Sequence, residues 1–368
     1  MGERLGLWMG RPRVPRIDGR IPSLDGLRAV SIALVVLAHL NGTRYFPVSS
    51  ELGQWQLGNL GVRVFFVISG FLITTLLLEE SDRTGTVSLF HFYLRRSFRI
   101  FPAFYALCAV LFILEHTGAI ALRPGDLLAA MTYTVNYHHD RAWYTGHLWS
   151  LSVEEQFYLL WPALLLVTRV RRGLWVAAAV VVAAPALRVV LGFWPALRPG
   201  IGETFPSVAD ALATGCVLAG LHPRLARSAQ WRAFLDGRRF WLAPLAVVIC
   251  ARNPWTKLDW LLGQTVMNLG IAVVIERALH APGDRLGRVL NARPLIFVGV
   301  LSYSLYLWQQ LLLNRRGSSI VQSFPLNLLL VALAALASYH AIEQPFLRLR
   351  LRVEHWLRVR RGARRTVG

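Results

Sequence analysis

Ten mostly apolar runs, most of them close to twenty residues long, recur along this chain, at roughly 25–43, 60–79, 100–117, 148–168, 174–192, 207–221, 240–252, 258–276, 295–314 and 325–346. A helix of about 20 apolar residues is long enough to cross a hydrocarbon core about 30 Å thick. In lipid every backbone polar group must be paired internally, which leaves closed barrels and helices as the only spanning structures. The alternating short strands of a barrel are absent. The expected fold is therefore an all-α integral membrane protein, a bundle of about ten transmembrane helices. Composition agrees: 55% of residues are hydrophobic and 16% charged, where a soluble chain carries roughly 25% charged.

The formal net charge of +20 invites a nucleic-acid reading, but its distribution argues otherwise. Thirty of the forty basic residues fall in alternate inter-span segments, in the stretches Arg4 to Arg28, Arg83 to Arg99, Arg169 to Arg172, Arg224 to Arg239, Arg277 to Arg293 and Arg348 to Arg365. The positive-inside rule puts these segments, and both termini, in the cytoplasm. The chain divides into a basic N-terminal segment (1–24), a transmembrane domain (25–347) and a basic tail (348–368). Cys108, Cys216 and Cys250 sit singly in apolar runs, so they form neither a disulfide framework nor a metal spacing, and no metal site is expected. The first 24 residues lack the apolar core of a signal peptide.

Charges at membrane depth are costly and mark function by default, which shortens the list of candidates. In the first run, Arg28 and His39 are eleven positions apart, so their side chains fall within about 20° of one another, roughly 16 Å apart along one face. Asp25 precedes Arg28 by one turn, a spacing that allows an ion pair. In the second run Ser69-Gly70 allows close backbone approach. Arg96 and Arg99 lie one turn apart at the start of the third run, where guanidiniums can either anchor lipid headgroups or grip a phosphorylated ligand bidentately. In the fourth run His147, Glu154, Tyr158 and Trp161 share a face and Glu155 lies about 100° away; two adjacent acids there are hard to explain as packing. Asp210 and Glu343 read as polar contacts between helices, and His138 and His139 as loop residues.

Taken in order, these segments resemble acyltransferase family 3, the integral membrane O-acyltransferases. The matching blocks are Leu24 to Arg28 with His39, Gly61 to Leu72, Arg95 to Arg99 with Pro102, Leu148 to Pro162, Asp210 to Gly215, Ser302 to Trp308, and Glu343 to Phe346. The resemblance implies an acyl-CoA donor, usually acetyl-CoA, on the cytoplasmic side. It implies a hydroxyl acceptor on a carbohydrate or glycosylated molecule, and a multi-pass protein of the bacterial cytoplasmic membrane. It implies Arg28 and His39 as an essential pair, Glu154 as an active-site acid, and Arg96, Arg99 and Ser69 as coenzyme A contacts. Family members sometimes carry an appended hydrolase-like domain, which is not expected here. Two positions depart from the family pattern: Gln309 stands where a histidine usually follows the Tyr-Leu-Trp of the ninth run, and Gln344 replaces a basic residue.

The expected mechanism is direct transfer, with His39 as general base and Glu154 holding its tautomer; an acyl-histidine relay is the variant. The competing class is an exporter of a sugar-containing or lipid-linked substrate, which many spans and midplane charges would also suit. A purely structural scaffold leaves His39, Glu154 and Glu155 unexplained.

Overall fold

The computed structural model describes residues 20–47, 53–252, 258–317 and 319–365. Most of the basic N-terminal segment lies outside them. The described chain is helical, with no strand element among the described residues. Its main helices are α1 (Pro22–Leu40), α2 (Leu57–Thr84), α3 (Leu89–His116), α4 (Leu148–Gly192), α5 (Phe205–Leu225), α6 (Leu242–Ala251), α7 (Gln264–His280), α8 (Arg293–Leu312), α9 (Leu326–Ser338) and α10 (Gln344–Arg365).

Eight helical segments are long and apolar enough to cross a membrane, against ten runs expected. Two places account for the difference. The runs at 148–168 and 174–192 fall in one helical segment, α4, which would be about 67 Å long if straight, over twice the hydrocarbon thickness. It is broken at Arg169, whose φ of 61° and ψ of 154° are not helical. Leu165 closes on Gly173 across that break, so the chain bends there instead of continuing. The run at 240–252 folds as α6, ten residues long, about 15 Å and half a crossing.

Local signals set the helix ends. Pro22 opens α1 at a position where no backbone N–H is needed. The Ser88 hydroxyl accepts from the His91 N–H at the start of α3, and Gly85 closes α2 in the left-handed conformation at φ 78°.

Helix packing depends on small residues, as expected where lipid supplies little driving force between helices. At the α2–α5 crossing the approach is reciprocal. A Cβ on Gly70 would lie 2.0 Å from the Leu212 carbonyl oxygen, and one on Gly215 would lie 2.1 Å from that of Val67. At the α1–α8 crossing a Cβ on Gly299 would lie 1.8 Å from the Asp25 carbonyl. These crossings bring α1, α2 and α8 close enough to enclose a common space.

A fully buried polar cluster pins α2, α4, α5 and α7 together. Arg63, Arg188 and Asp210 are 2%, 0% and 0% exposed. Arg188 Nη1 donates to Asp210 Oδ2 at 2.9 Å, and Thr265 Oγ1 donates to the same oxygen at 2.8 Å. Arg188 also donates to the Trp260 carbonyl at 2.8 Å and to Thr265 Oγ1 at 2.8 Å. Arg63 donates to Asn268 at 3.1 Å and reaches Asp210 Oδ1 at 3.8 Å. A buried charge is tolerated only when paired and hydrogen-bonded. Asp210 meets that condition for both arginines, in line with its expected role as a contact between helices.

Candidate active site

A cavity of about 250 Å³ lies between α1, α2, α3, α4, α8 and the turn joining α9 to α10. Five of the six residues singled out from the sequence line it: Arg28 from α1, Ser69 from α2, Arg96 and Arg99 from α3, and Glu154 from α4. They come from four helices and lie up to 126 positions apart in the chain. One turn of helix separates Arg96 from Arg99, so both face inward from α3, and the Arg96 guanidinium lies over the Tyr158 ring at 5.1 Å.

The charges are arranged around the cavity, not consumed in pairs. Among the described residues, Arg28, Arg96 and Arg99 make no ion pair or side-chain hydrogen bond, though all three lie within electrostatic reach of Glu154. Glu154 Oε1 instead accepts from Ser69 Oγ at 2.7 Å, and Ser69 Oγ lies 3.1 Å from the Tyr158 hydroxyl. Ser69 therefore orients the acid. Asp25 lies within reach of Arg28 without closing the expected ion pair, and its Oδ2 has no partner. Guanidinium donors left open in a largely apolar enclosure suit a multiply charged anion, because such hydrogen bonds are short and strong.

Three groups in the cavity were not singled out as site residues. Glu343 faces Arg28 and Arg99 and accepts a hydrogen bond from Ser304 Oγ. It ends a π-helical turn, Tyr339–Glu343, an irregularity common at functional sites because it re-aims a side chain. Glu155 also lines the wall, and one of its oxygens is buried without a partner. Tyr306 and Ser150 close one end, the two hydroxyls sharing a hydrogen bond at 2.5 Å. The Tyr306 hydroxyl also donates to the His147 carbonyl at 3.0 Å, and its ring meets Phe65 edge-on at 6.2 Å. Tyr306 had a legible signal: Ser302, Tyr306 and Gln309 recur at four and three positions, one face of α8.

His39 is the exception. It does not line the cavity but lies past the Tyr306 closure, toward the C-terminal end of α1. Its ring packs edge-on against Trp143 at 5.6 Å, and Gln309 faces it from α8. Arg315 donates to the Ala38 carbonyl and lies over the other ring of this corner, Trp143, at 5.5 Å. Glu154 is not its partner: the acid is held by Ser69 on the arginine side of Tyr306, so the expected tautomer-fixing contact is not made. Arg28 and His39 thus occupy one helix, but only Arg28 lines the cavity. The reason is tertiary: α8 crosses α1 closely enough at Gly299 for its Tyr306 to fall between them.

No group of three or more histidine, cysteine or acidic side chains suited to a metal is present among the described residues.

Residues 21–339 match the family model of the acyltransferase domain of acyltransferase family 3. The O-acetyltransferase OatA of Staphylococcus aureus is 30% identical to the chain, the alignment covering 88% of this chain and 57% of that protein. The peptidoglycan O-acetyltransferase OatA of Listeria monocytogenes is 29% identical, over 78% of this chain and 48% of that protein. The chain thus spans about half the length of these relatives. No solved structure matches it. A match over that much of the sequence, on a helical membrane bundle whose cavity gathers the expected arginines and acid, carries the assignment: this chain belongs to acyltransferase family 3.

Proposed function

We propose that the protein moves an acyl group, acetyl in the simplest case, from acyl-CoA to a hydroxyl of a cell-wall carbohydrate. The site would lie within the bacterial cytoplasmic membrane, with both chain termini in the cytoplasm. The observation that carries this reading is the cavity with three uncommitted guanidiniums, a donor set suited to the phosphates of coenzyme A. The acceptor class follows from the relatives, whose names specify O-acetyltransferases and, in Listeria, peptidoglycan.

In this reading Arg96 and Arg99 hold donor phosphates at the mouth and Arg28 holds the deeper end. The apolar wall formed by Phe65, Phe66 and Leu72 accommodates the pantetheine arm. The rise from Arg28 to His39 is roughly 16 Å, and the arm extends along it until the thioester passes Tyr306. His39 then takes the proton of the acceptor hydroxyl as its oxygen attacks the thioester carbonyl. The tetrahedral intermediate collapses with cleavage of the C–S bond, and the departing thiolate recovers a proton from the imidazolium. Positioned acid–base groups contribute about 10²–10⁴-fold, and an already activated thioester requires little beyond positioning.

The test has two arms. Acetyl-CoA binding to the purified chain in detergent is measured for wild type and for Arg96→Ala with Arg99→Ala; unchanged binding in the double variant would leave those arginines as lipid anchors. Mass spectrometry of cell-wall glycan from cells with and without the chain gives the acceptor; identical acetyl content would remove a cell-wall substrate.

A further inference from the structure

The His39 corner contains an unusual concentration of unsatisfied polar atoms. Gln309 is 0% exposed, yet neither its Nε2 nor its Oε1 has a hydrogen-bond partner. A buried primary amide with every donor and acceptor idle is rare in a folded protein and calls for an explanation. His39 lies within reach of it, and the Nδ1 of that ring is also buried and also unpartnered. The neighbouring polar groups are each half committed, Gln310 Oε1 and His147 Nδ1 also being buried without a partner. Gln310 gives its Nε2 to the Trp143 carbonyl at 2.5 Å, and His147 directs its Nε2 to the Leu307 carbonyl at 3.0 Å.

We propose that Gln309 is the positioning residue of the base, its amide oxygen accepting the Nδ1–H of His39 and so leaving Nε2 free to take the acceptor's proton. The inference rests on the reading of His39 as base. A neutral amide can do this because its oxygen accepts and its nitrogen donates. An imidazole without a partner divides its proton between two nitrogens, and only one tautomer leaves the reacting nitrogen bare. Closing that contact satisfies two idle buried atoms at once. A carboxylate is not required, which accounts for Glu154 lying on the far side of Tyr306.

The test uses the full chain in liposomes with acetyl-CoA and a chitooligosaccharide acceptor. Gln309→Leu, close in size but without hydrogen-bonding atoms, is expected to lower kcat roughly 10–100-fold, the usual cost of losing the partner that orients a histidine. The KM for acetyl-CoA should stay unchanged, and Gln309→Glu, which keeps the accepting oxygen, should recover most of the rate. Separately, solid-state NMR of ¹⁵N-histidine-labelled protein reports the tautomer directly, the His39 signal being the one missing from His39→Ala. Wild type should show the Nδ1–H form and Gln309→Leu a mixture. A Gln309→Leu variant with full kcat, one losing donor affinity along with kcat, or one with an unaltered tautomer would overturn the proposal. If His39→Ala itself stays active, the reading of His39 as base fails, while the NMR arm still decides whether Gln309 orients the ring.

Discussion

Removing the cavity arginines one at a time should weaken donor binding by amounts that follow their burial. Arg28 and Arg96 are partly buried, whereas Arg99 is exposed. A hydrogen bond to a charged group in a partly desolvated site contributes about 1.5–3 kcal/mol, which corresponds to roughly 10–150-fold in Kd. An exposed charge pair contributes about 0.2–1 kcal/mol, or roughly 1.4–5-fold. Arg28→Ala and Arg96→Ala should therefore fall in the first range and Arg99→Ala in the second. Arg96→Lys should fall between wild type and Arg96→Ala, because the ammonium keeps the charge but loses both the fork geometry and the stacking on Tyr158. Isothermal titration of detergent-solubilised protein with acetyl-CoA measures these differences. Repeating it at 1 M salt, where the screening length falls from about 10 Å to about 3 Å, should erase most of the Arg99 effect and little of the Arg28 effect. A larger loss from Arg99→Ala than from Arg96→Ala would refute the ranking by burial, and three variants that bind as wild type would refute the assignment of this cavity to the donor.

Three further outcomes follow from the geometry. His39→Ala should lower acyl transfer by about 10²–10⁴-fold while leaving the acetyl-CoA Kd unchanged, since His39 lies outside the cavity; titration and a turnover assay on one preparation check both. Asp210→Asn leaves Arg63 and Arg188 buried without their counter-charge and should destabilise the bundle by about 3–5 kcal/mol, read as a lowered thermal midpoint in detergent with donor binding lost only on unfolding. Gly215→Ala forces a methyl against the Val67 carbonyl and should cost about 1–3 kcal/mol by overpacking; an unchanged midpoint would mean that α2 and α5 separate more easily than their reciprocal glycines imply.

The helical membrane fold was legible because its cause is local: lengths of apolar sequence matched to a hydrocarbon thickness. The arginines and Glu154 were legible for a related reason, since a charge in an apolar run stands out wherever the helix is placed. Arg63 and Arg188 are almost fully buried, yet spacing along one helix does not reveal their partners on other helices, which lie between 19 and 205 positions away. Nor does it reveal that Asp210 satisfies both. The Arg28–His39 stripe was correctly read as a feature of one helix, but it is silent about what a second helix inserts between two points on it. Tyr306 is such an insertion, set by how closely α8 can approach Asp25 at Gly299. Glu343 is a contact between helices, as expected, through Ser304, but regular helical spacing does not anticipate the π turn at which it also lines the cavity.

The closure formed by Tyr306, Ser150 and Phe65 bears on cellular energetics as well as on chemistry. A lumen running from one face to the other, lined by arginines and acids, would conduct ions or protons down a gradient worth about 2.3 kcal/mol per elementary charge for every 100 mV. On the proposed passage, the Tyr306 ring, hydrogen-bonded to Ser150 and to the His147 carbonyl, would keep such a lumen from running through while the protein idles. Only a cargo slender enough to slip by, and bulky enough to fill the gap as it does, could cross without discharging the cell.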